Sequence, residues 1–259
     1  MKNFGKNIED SSKEGVPPSL GFSPLLSGGE GSVRGATSSR EGSVRGGNGP
    51  SQKKIFITGI STGVGKTIVS AILTEALEAD YWKPIQCGDL DSSDSQTVRS
   101  LTSDKSHIFE EAFRLELPQS PHWAAKAEGL SLELDAFSLP KTDRPLVIEG
   151  AGGVLAPLNE KENIIDLAGR WQIPSLIVVT PYLGCLNHSC LTLEALEKRG
   201  IPFLGFVLNW EFPAEIKSFL QYKGPVLCEI PRIENLDRST VSKLAAARRQ
   251  SLREKLSWI

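Results

Sequence analysis

The sequence predicts an α/β fold with a mostly parallel sheet flanked by helices on both faces. Two observations carry this. From residue 53 onward, short apolar runs alternate with amphipathic helical runs, the pattern of parallel strands joined by crossover helices. At the first strand-to-helix junction lies a glycine-rich loop, Gly59-Ile60-Ser61-Thr62-Gly63-Val64-Gly65-Lys66-Thr67. That position, at the carboxyl end of a strand, is where ligands bind on such sheets.

The first strand pattern covers residues 54–58 and the first helix pattern 67–77. Strand, glycine loop, Gly-Lys-Thr and helix together form the context of a phosphate-binding loop. Backbone N–H groups from Gly63, Val64, Gly65 and on through Ile68 face phosphate oxygens, and the helix adds its positive end. Lys66 reaches the outer phosphates and the Thr67 hydroxyl binds Mg²⁺. The fold is therefore P-loop NTPase-like, and the chain handles a nucleoside triphosphate. Five residues, 60–64, separate Gly59 from Gly65, one more than the usual loop. Partition and septum-site ATPases carry an extra lysine early in this loop, where this chain has Ser61.

A second strand is predicted at 81–85, with Lys83 fixed by Pro84 over the carboxyl edge of the sheet. A compact ammonium there suits a phosphate or carbamate oxygen. A helix follows at 95–101, preceded by Asp91-Ser92-Ser93-Asp94. Asp94 suits a metal ion, and either acid suits a helix N-cap. Ser120-Pro121-His122 brings a histidine toward the substrate cleft. The strand at 146–149 ends in Glu149, followed by Gly150-Ala151-Gly152-Gly153. A charge at the end of a buried strand needs a cation or donors, and glycines let a ligand approach the backbone.

A helix at 164–171 and a strand at 175–180 lead to Leu183-Gly184-Cys185-Leu186-Asn187-His188. Asn187 reads as the N-cap of a helix at 189–199, whose free N–H groups suit a carboxylate. His188 reads as structural. The strand at 203–208 precedes Asn209, whose amide can read an adenine edge. A helix at 214–221, a strand at 226–229 and a basic, solvated helix at 239–256 complete the pattern.

Residues 1–52 are rich in Gly, Ser and Pro and repeat Glu-Gly-Ser-Val-Arg-Gly at 30–35 and 41–46. Such a segment buries too little apolar area to offset its chain entropy, so a disordered leader is expected there, followed by a single domain over 53–259. Net charge of −2 gives no basic field for nucleic acid or anionic lipid. No apolar run approaches the roughly 20 residues of a membrane span. Cys87, Cys185, Cys190 and Cys228 form no Cys-x-x-Cys pair. Reduced thiols in a cytoplasmic enzyme are expected, with neither zinc nor disulfides.

The set, in this order, resembles the dethiobiotin synthase family, from the strand at 54 to the segment near 235. Leu183-Gly-Cys-Leu-Asn-His188 and Ser120-Pro-His122 are its most family-specific segments. The resemblance implies an ATP-dependent carboxylase of biotin synthesis. It would convert 7,8-diaminononanoate, CO₂ and ATP to dethiobiotin, ADP and phosphate, with Mg²⁺ and as a homodimer. By the same resemblance, Lys66 and Lys83 stabilise the carbamate and γ-phosphate, and Thr62 lies beside the carbamate. Thr67, Asp94 and Glu149 hold Mg²⁺, with Gly150, Ala151 and Gly152 bordering the nucleotide. Asn209, Ile230 and Pro231 border adenine. The backbone of Gly184, Cys185, Leu186 and Asn187 holds the substrate carboxylate across the dimer interface. Two positions depart from the family: Gly63 stands where an acid is common, and Cys87 where a serine near the diamine is common. If exposed, the Cys87 thiol would make the pocket reagent-sensitive. Two other readings are a partition-type switch ATPase and a cobalamin-type amidoligase. The latter needs a glutamine-hydrolysing domain for which the chain after residue 210 is too short.

Overall fold

The computed structural model describes residues 53–256, so the expectation for the 1–52 leader lies outside the described residues. β1 (Lys54–Gly59) runs through the centre of a seven-stranded sheet and ends in the glycine loop, from which α1 (Lys66–Leu77) departs. β2 (Asp80–Trp82) and β3 (Ile85–Cys87) follow, then α2 (Asp94–Leu101), β4 (Ile108–Phe109), β5 (Phe113–Leu115) and α3 (Pro121–Ala127). The second half alternates regularly: β6 (Leu146–Glu149), α4 (Ile164–Trp171), β7 (Ser175–Val179), α5 (Cys185–Glu197), β8 (Phe203–Asn209), α6 (Ala214–Lys223), β9 (Val226–Ile230) and α7 (Arg238–Lys255).

The strand order is β4-β2-β6-β1-β7-β8-β9, and every pairing is parallel. Such a sheet must be covered on both faces, which is why Phe56, Ile57, Ile148, Ile177 and Val178 are fully buried. α1 packs against α2 and α7. Connections from β1 run first toward β2 and β6 and later toward β7, so the order reverses at β1. The carboxyl ends of β1 and β6 therefore open at the topological switch point, where a crevice forms. Register pairs Ile57 with Glu149 and Asn209 with Ile230, aligning the strand ends that carry polar residues. No helix among the described residues is long and apolar enough to cross a membrane.

The structure corrects the predicted elements in three places. The strand expected over 81–85 breaks: β2 ends at Trp82, and β3 pairs with β5 in a separate two-stranded parallel sheet. Pro84 has no N–H for the main ladder and turns its carbonyl to the N–H groups of Ala112 and Phe113. α5 begins at Cys185 rather than 189, because Gly184 supplies the N-cap with φ of 101°. Asn187 is therefore inside the helix and is not its cap. The cap of α2 is likewise Ser93, neither Asp91 nor Asp94, and it forms a reciprocal capping box with Gln96.

Candidate active site

The glycine loop is shaped by its backbone. Gly63 and Gly65 have φ of 74° and 88°, a region open to glycine at little strain. Gly65 is the N-cap of α1 and offers no side-chain cap, so the first N–H groups of the helix are left to a ligand. The loop is braced from below by Asn209, at the end of β8, whose amide nitrogen donates to the Val64 carbonyl at 2.9 Å. A Cβ on Gly65 would fall 2.2 Å from that nitrogen, so the close approach itself requires glycine.

Three oxygen-bearing side chains from three elements meet beside the loop. The Thr67 hydroxyl is 2.7 Å from Asp94 Oδ1 and 3.0 Å from Glu149 Oε1, with one hydrogen to donate between them. Lys83 Nζ reaches Asp94 Oδ2 and lies 3.3 Å from Glu149 Oε1. Tyr81 donates its hydroxyl to the other Glu149 oxygen at 2.9 Å. Burial would lower the Lys83 pKa, but Glu149 and Asp94 outweigh it and hold the ammonium above the usual lysine value. Burial would raise the Asp94 pKa, but Lys83 and Thr67 hold it below the usual carboxylate range. Tyr81 stays a phenol, pushed well up by burial and by Glu149. The second lysine, Lys66, points into the same region with its Nζ 3.3 Å from the Ser61 carbonyl. Burial lowers its pKa to about 8, against the opposing pull of Glu149 and Asp94.

A cavity of about 670 Å³ opens over this cluster. Thr62, Gly63, Gly65, Lys66, Thr67 and Ile68 line it from the loop, Lys83 and Asp94 from the β2 side, and Glu149, Ala151 and Gly152 from the end of β6. The two lysines predicted from separate strand ends thus face one space. Thr67, Asp94 and Glu149 present hard oxygen donors with acceptors in excess of protons, a set that fits Mg²⁺ alongside nucleotide phosphates.

A family model described as an AAA domain matches residues 53–240. An ATP-dependent dethiobiotin synthetase BioD from Christiangramia forsetii is 44% identical over 206 residues, covering 78% of this chain and 99% of that relative. The protein of the same name from Nitrobacter hamburgensis is 42% identical, covering 74% of this chain and 92% of its own. The chain belongs to the ATP-dependent dethiobiotin synthetase family. Among solved structures, the cell division ATPase MinD of Pyrococcus furiosus aligns with a TM-score of 0.49 at 18% identity, over 78% of this chain and 98% of that one.

The other expected residues fall within, beneath or outside the cavity lining. Cys87 lines the cavity half-buried, and burial pushes its thiol up to about 11. Gly150 lies beneath the cavity, where an added Cβ would press on the Phe56 ring at 3.0 Å. Val64 is buried within the loop. Asn209, Ile230 and Pro231 cluster at the carboxyl edge outside the cavity lining, where the Trp210 N–H donates to the Ile230 carbonyl at 2.7 Å. Gly184, Cys185, Leu186 and Asn187 also lie outside that lining, at the start of α5, with Leu183 beside them fully exposed. Ser120 and Pro121 line the cavity, whereas the His122 ring is held 3.0 Å from the Ser120 hydroxyl. The sequence reading missed Tyr81, Gln86 and Asp89. The first reads as an ordinary strand aromatic, and the other two carry no local motif.

Proposed function

We propose that this chain acts as an ATP-dependent dethiobiotin synthetase, forming dethiobiotin, ADP and phosphate from 7,8-diaminononanoate, CO₂ and ATP. The observation that carries the reading is the convergence of Lys66 and Lys83 on one cavity beside the Thr67–Asp94–Glu149 oxygens. The relatives' names give ATP-dependent dethiobiotin synthesis, and the diamine and CO₂ come from the family resemblance.

An amine of the diamine attacks CO₂, forming an N–C bond and, after proton loss, a carbamate. Oxide is a poor leaving group, so the second amine cannot close the ring directly. A carbamate oxygen therefore takes the γ-phosphoryl group, ADP departs, and a carbamic-phosphoric anhydride results. The second amine then attacks the carbonyl carbon, phosphate leaves, and the urea ring closes. Positioning and charge neutralisation do most of this work. The loop N–H groups and Lys66 hold the β- and γ-phosphates. Lys83 stabilises the carbamate as its oxygen meets phosphorus, with Thr62 alongside. Thr67, Asp94 and Glu149 would hold Mg²⁺, which when bound neutralises the phosphate oxygens. Asn209, Ile230 and Pro231 border the adenine, and Gly150, Ala151 and Gly152 let the phosphates approach.

The substrate carboxylate is read as held by the Gly184–Asn187 backbone of a second copy in a homodimer. The exposed Leu183 and Leu191 on and before α5 support a self-association face. Residues 53–259 are read as one catalytic domain. Net charge of −2 and four free thiols support small-molecule partners, without nucleic acid or membrane, and action in the cytoplasm. The test is ADP release with ATP, Mg²⁺ and bicarbonate, with and without the diamine. Diamine-dependent release is expected, and its absence overturns the reading.

A further inference from the structure

The small β3–β5 sheet stands apart from the main sheet, and its Cys87 is read as lying near the diamine. Both flanks of the first turn of α2, which carries Asp94, are tied to it. Ser93 and Gln96 satisfy one another in the capping box, with contacts of 3.0 and 3.3 Å. The Asp94 N–H lies outside that box and belongs to the helical turn whose donors have no partner within the helix. Gln86, on β3, accepts from it through Oε1 at 3.2 Å. The same amide donates through Nε2 to the Gly88 carbonyl at 2.9 Å. A donor must face a carbonyl and an acceptor must face an N–H, so the partners decide the amide orientation. From the other flank, Ser93 donates to the buried Glu111 at 3.1 Å, and Arg114 of β5 pairs with Glu111 at 2.9 Å.

We propose that Gln86 is a positioning residue for the Asp94 carboxylate, and that the β3–β5 sheet is the bracket through which it acts. The proposal rests on reading Asp94 as a metal-binding carboxylate. Only one rotatable carbon separates that carboxylate from its backbone, so its place beside Thr67 is set by where the first turn of α2 lies. Gln86 is itself buried and lines the cavity, next to Cys87 on the diamine side. It therefore links the diamine-side strand to the metal-side helix.

The test is calorimetric ATP binding to the full chain and to Gln86→Met, each with Mg²⁺ and with EDTA. Methionine keeps the volume and removes both hydrogen bonds. The unaltered protein is expected to gain ATP affinity with Mg²⁺. In the variant that gain should shrink by about tenfold, the usual effect of losing an outer partner of a metal ligand, while binding in EDTA is unchanged. A full Mg²⁺-dependent gain in the variant, or equal losses with and without the metal, would overturn the positioning role. No Mg²⁺ effect in the unaltered protein would instead overturn the metal assignment on which it rests. If the variant does not fold, amide exchange of Asp94 in the unaltered protein decides. Strong protection is expected, and exchange at the rate of an open first-turn N–H would overturn the proposal.

Discussion

The ammonium of Lys83 lies 3.3 Å from the Glu149 carboxylate, bridging the end of β2 to the end of β6 beneath the cavity. Both side chains are buried, and Asp94 completes the ion cluster. Breaking one partner of such a buried pair is far more damaging than the pair's net worth, because the remaining charges lose their compensation.

Lys83→Ala is therefore expected to do two separable things. Turnover should fall by at least about a hundredfold, the usual loss when a preorganised charge is removed from the reacting group. Stability should fall by about 3 kcal/mol, the low end for a broken buried pair. Added Mg²⁺ should restore part of that stability and none of the turnover, since a cation can compensate Asp94 and Glu149 without contacting the carbamate. Thermal melts with and without Mg²⁺, beside kcat, check this. Near-normal kcat would remove Lys83 from the chemistry.

Glu149→Gln keeps an acceptor for the Tyr81 hydroxyl, now 2.9 Å from a Glu149 oxygen, and removes one charge from the proposed metal set. The Mg²⁺ concentration giving half-maximal ADP release should rise by about tenfold or more, as expected for weakened metal ligation. An unchanged Mg²⁺ titration would take Glu149 out of the metal site.

The parts legible from sequence were those whose chemistry is local. The glycine loop, Lys66 and Thr67 lie within nine consecutive residues, 59–67, whose glycines, Gly-Lys-Thr and strand-to-helix setting together name a phosphate site. Glu149 was legible because an acid closing an apolar strand is expensive to bury. What Lys83 pairs with was not legible, since Glu149 is 66 residues away and only the parallel β2–β6 pairing brings the two together, while Asp94, 11 residues on, arrives with the first turn of α2. β3, β4 and β5 have two or three residues each, too few to show a period of two. At α5 the cap preference of Asn187 lost to Gly184, because a left-handed residue can open the helix three positions earlier. Tyr81 and Gln86 look like ordinary strand residues until the fold places a carboxylate and a helix start beside them.

Gly65→Ala tests the brace under the loop. Its added Cβ meets the Asn209 amide at 2.2 Å and sits at φ of 88°, a region that L residues occupy at about 1–2 kcal/mol. ATP affinity should fall sharply. Adding Asn209→Ala should recover only part, because it relieves the contact but leaves the backbone strain and removes the brace on the Val64 carbonyl. Calorimetric ATP binding to the single and double variants checks this. Full recovery in the double variant would show that crowding alone was responsible.

Cys87 gives the pH-dependent prediction. Burial raises its thiol pKa to about 11, with Lys83 pulling modestly the other way. Thiolate is the reactive form, so a raised pKa means less of it at every pH below 11, and reactivity must climb with pH. Alkylation of Cys87 by iodoacetamide near neutrality should be on the order of a hundred times slower than that of an ordinary thiol with pKa near 8.5. Its rate should rise about tenfold per pH unit up to pH 10, since the thiolate fraction does so below the pKa. Peptide mass spectrometry over a pH series reads this site apart from Cys185, Cys190 and Cys228. A rate that levels off near pH 8.5 would mean that the thiol is solvated, and that the Cys87 side of the cavity is wetter than its burial implies.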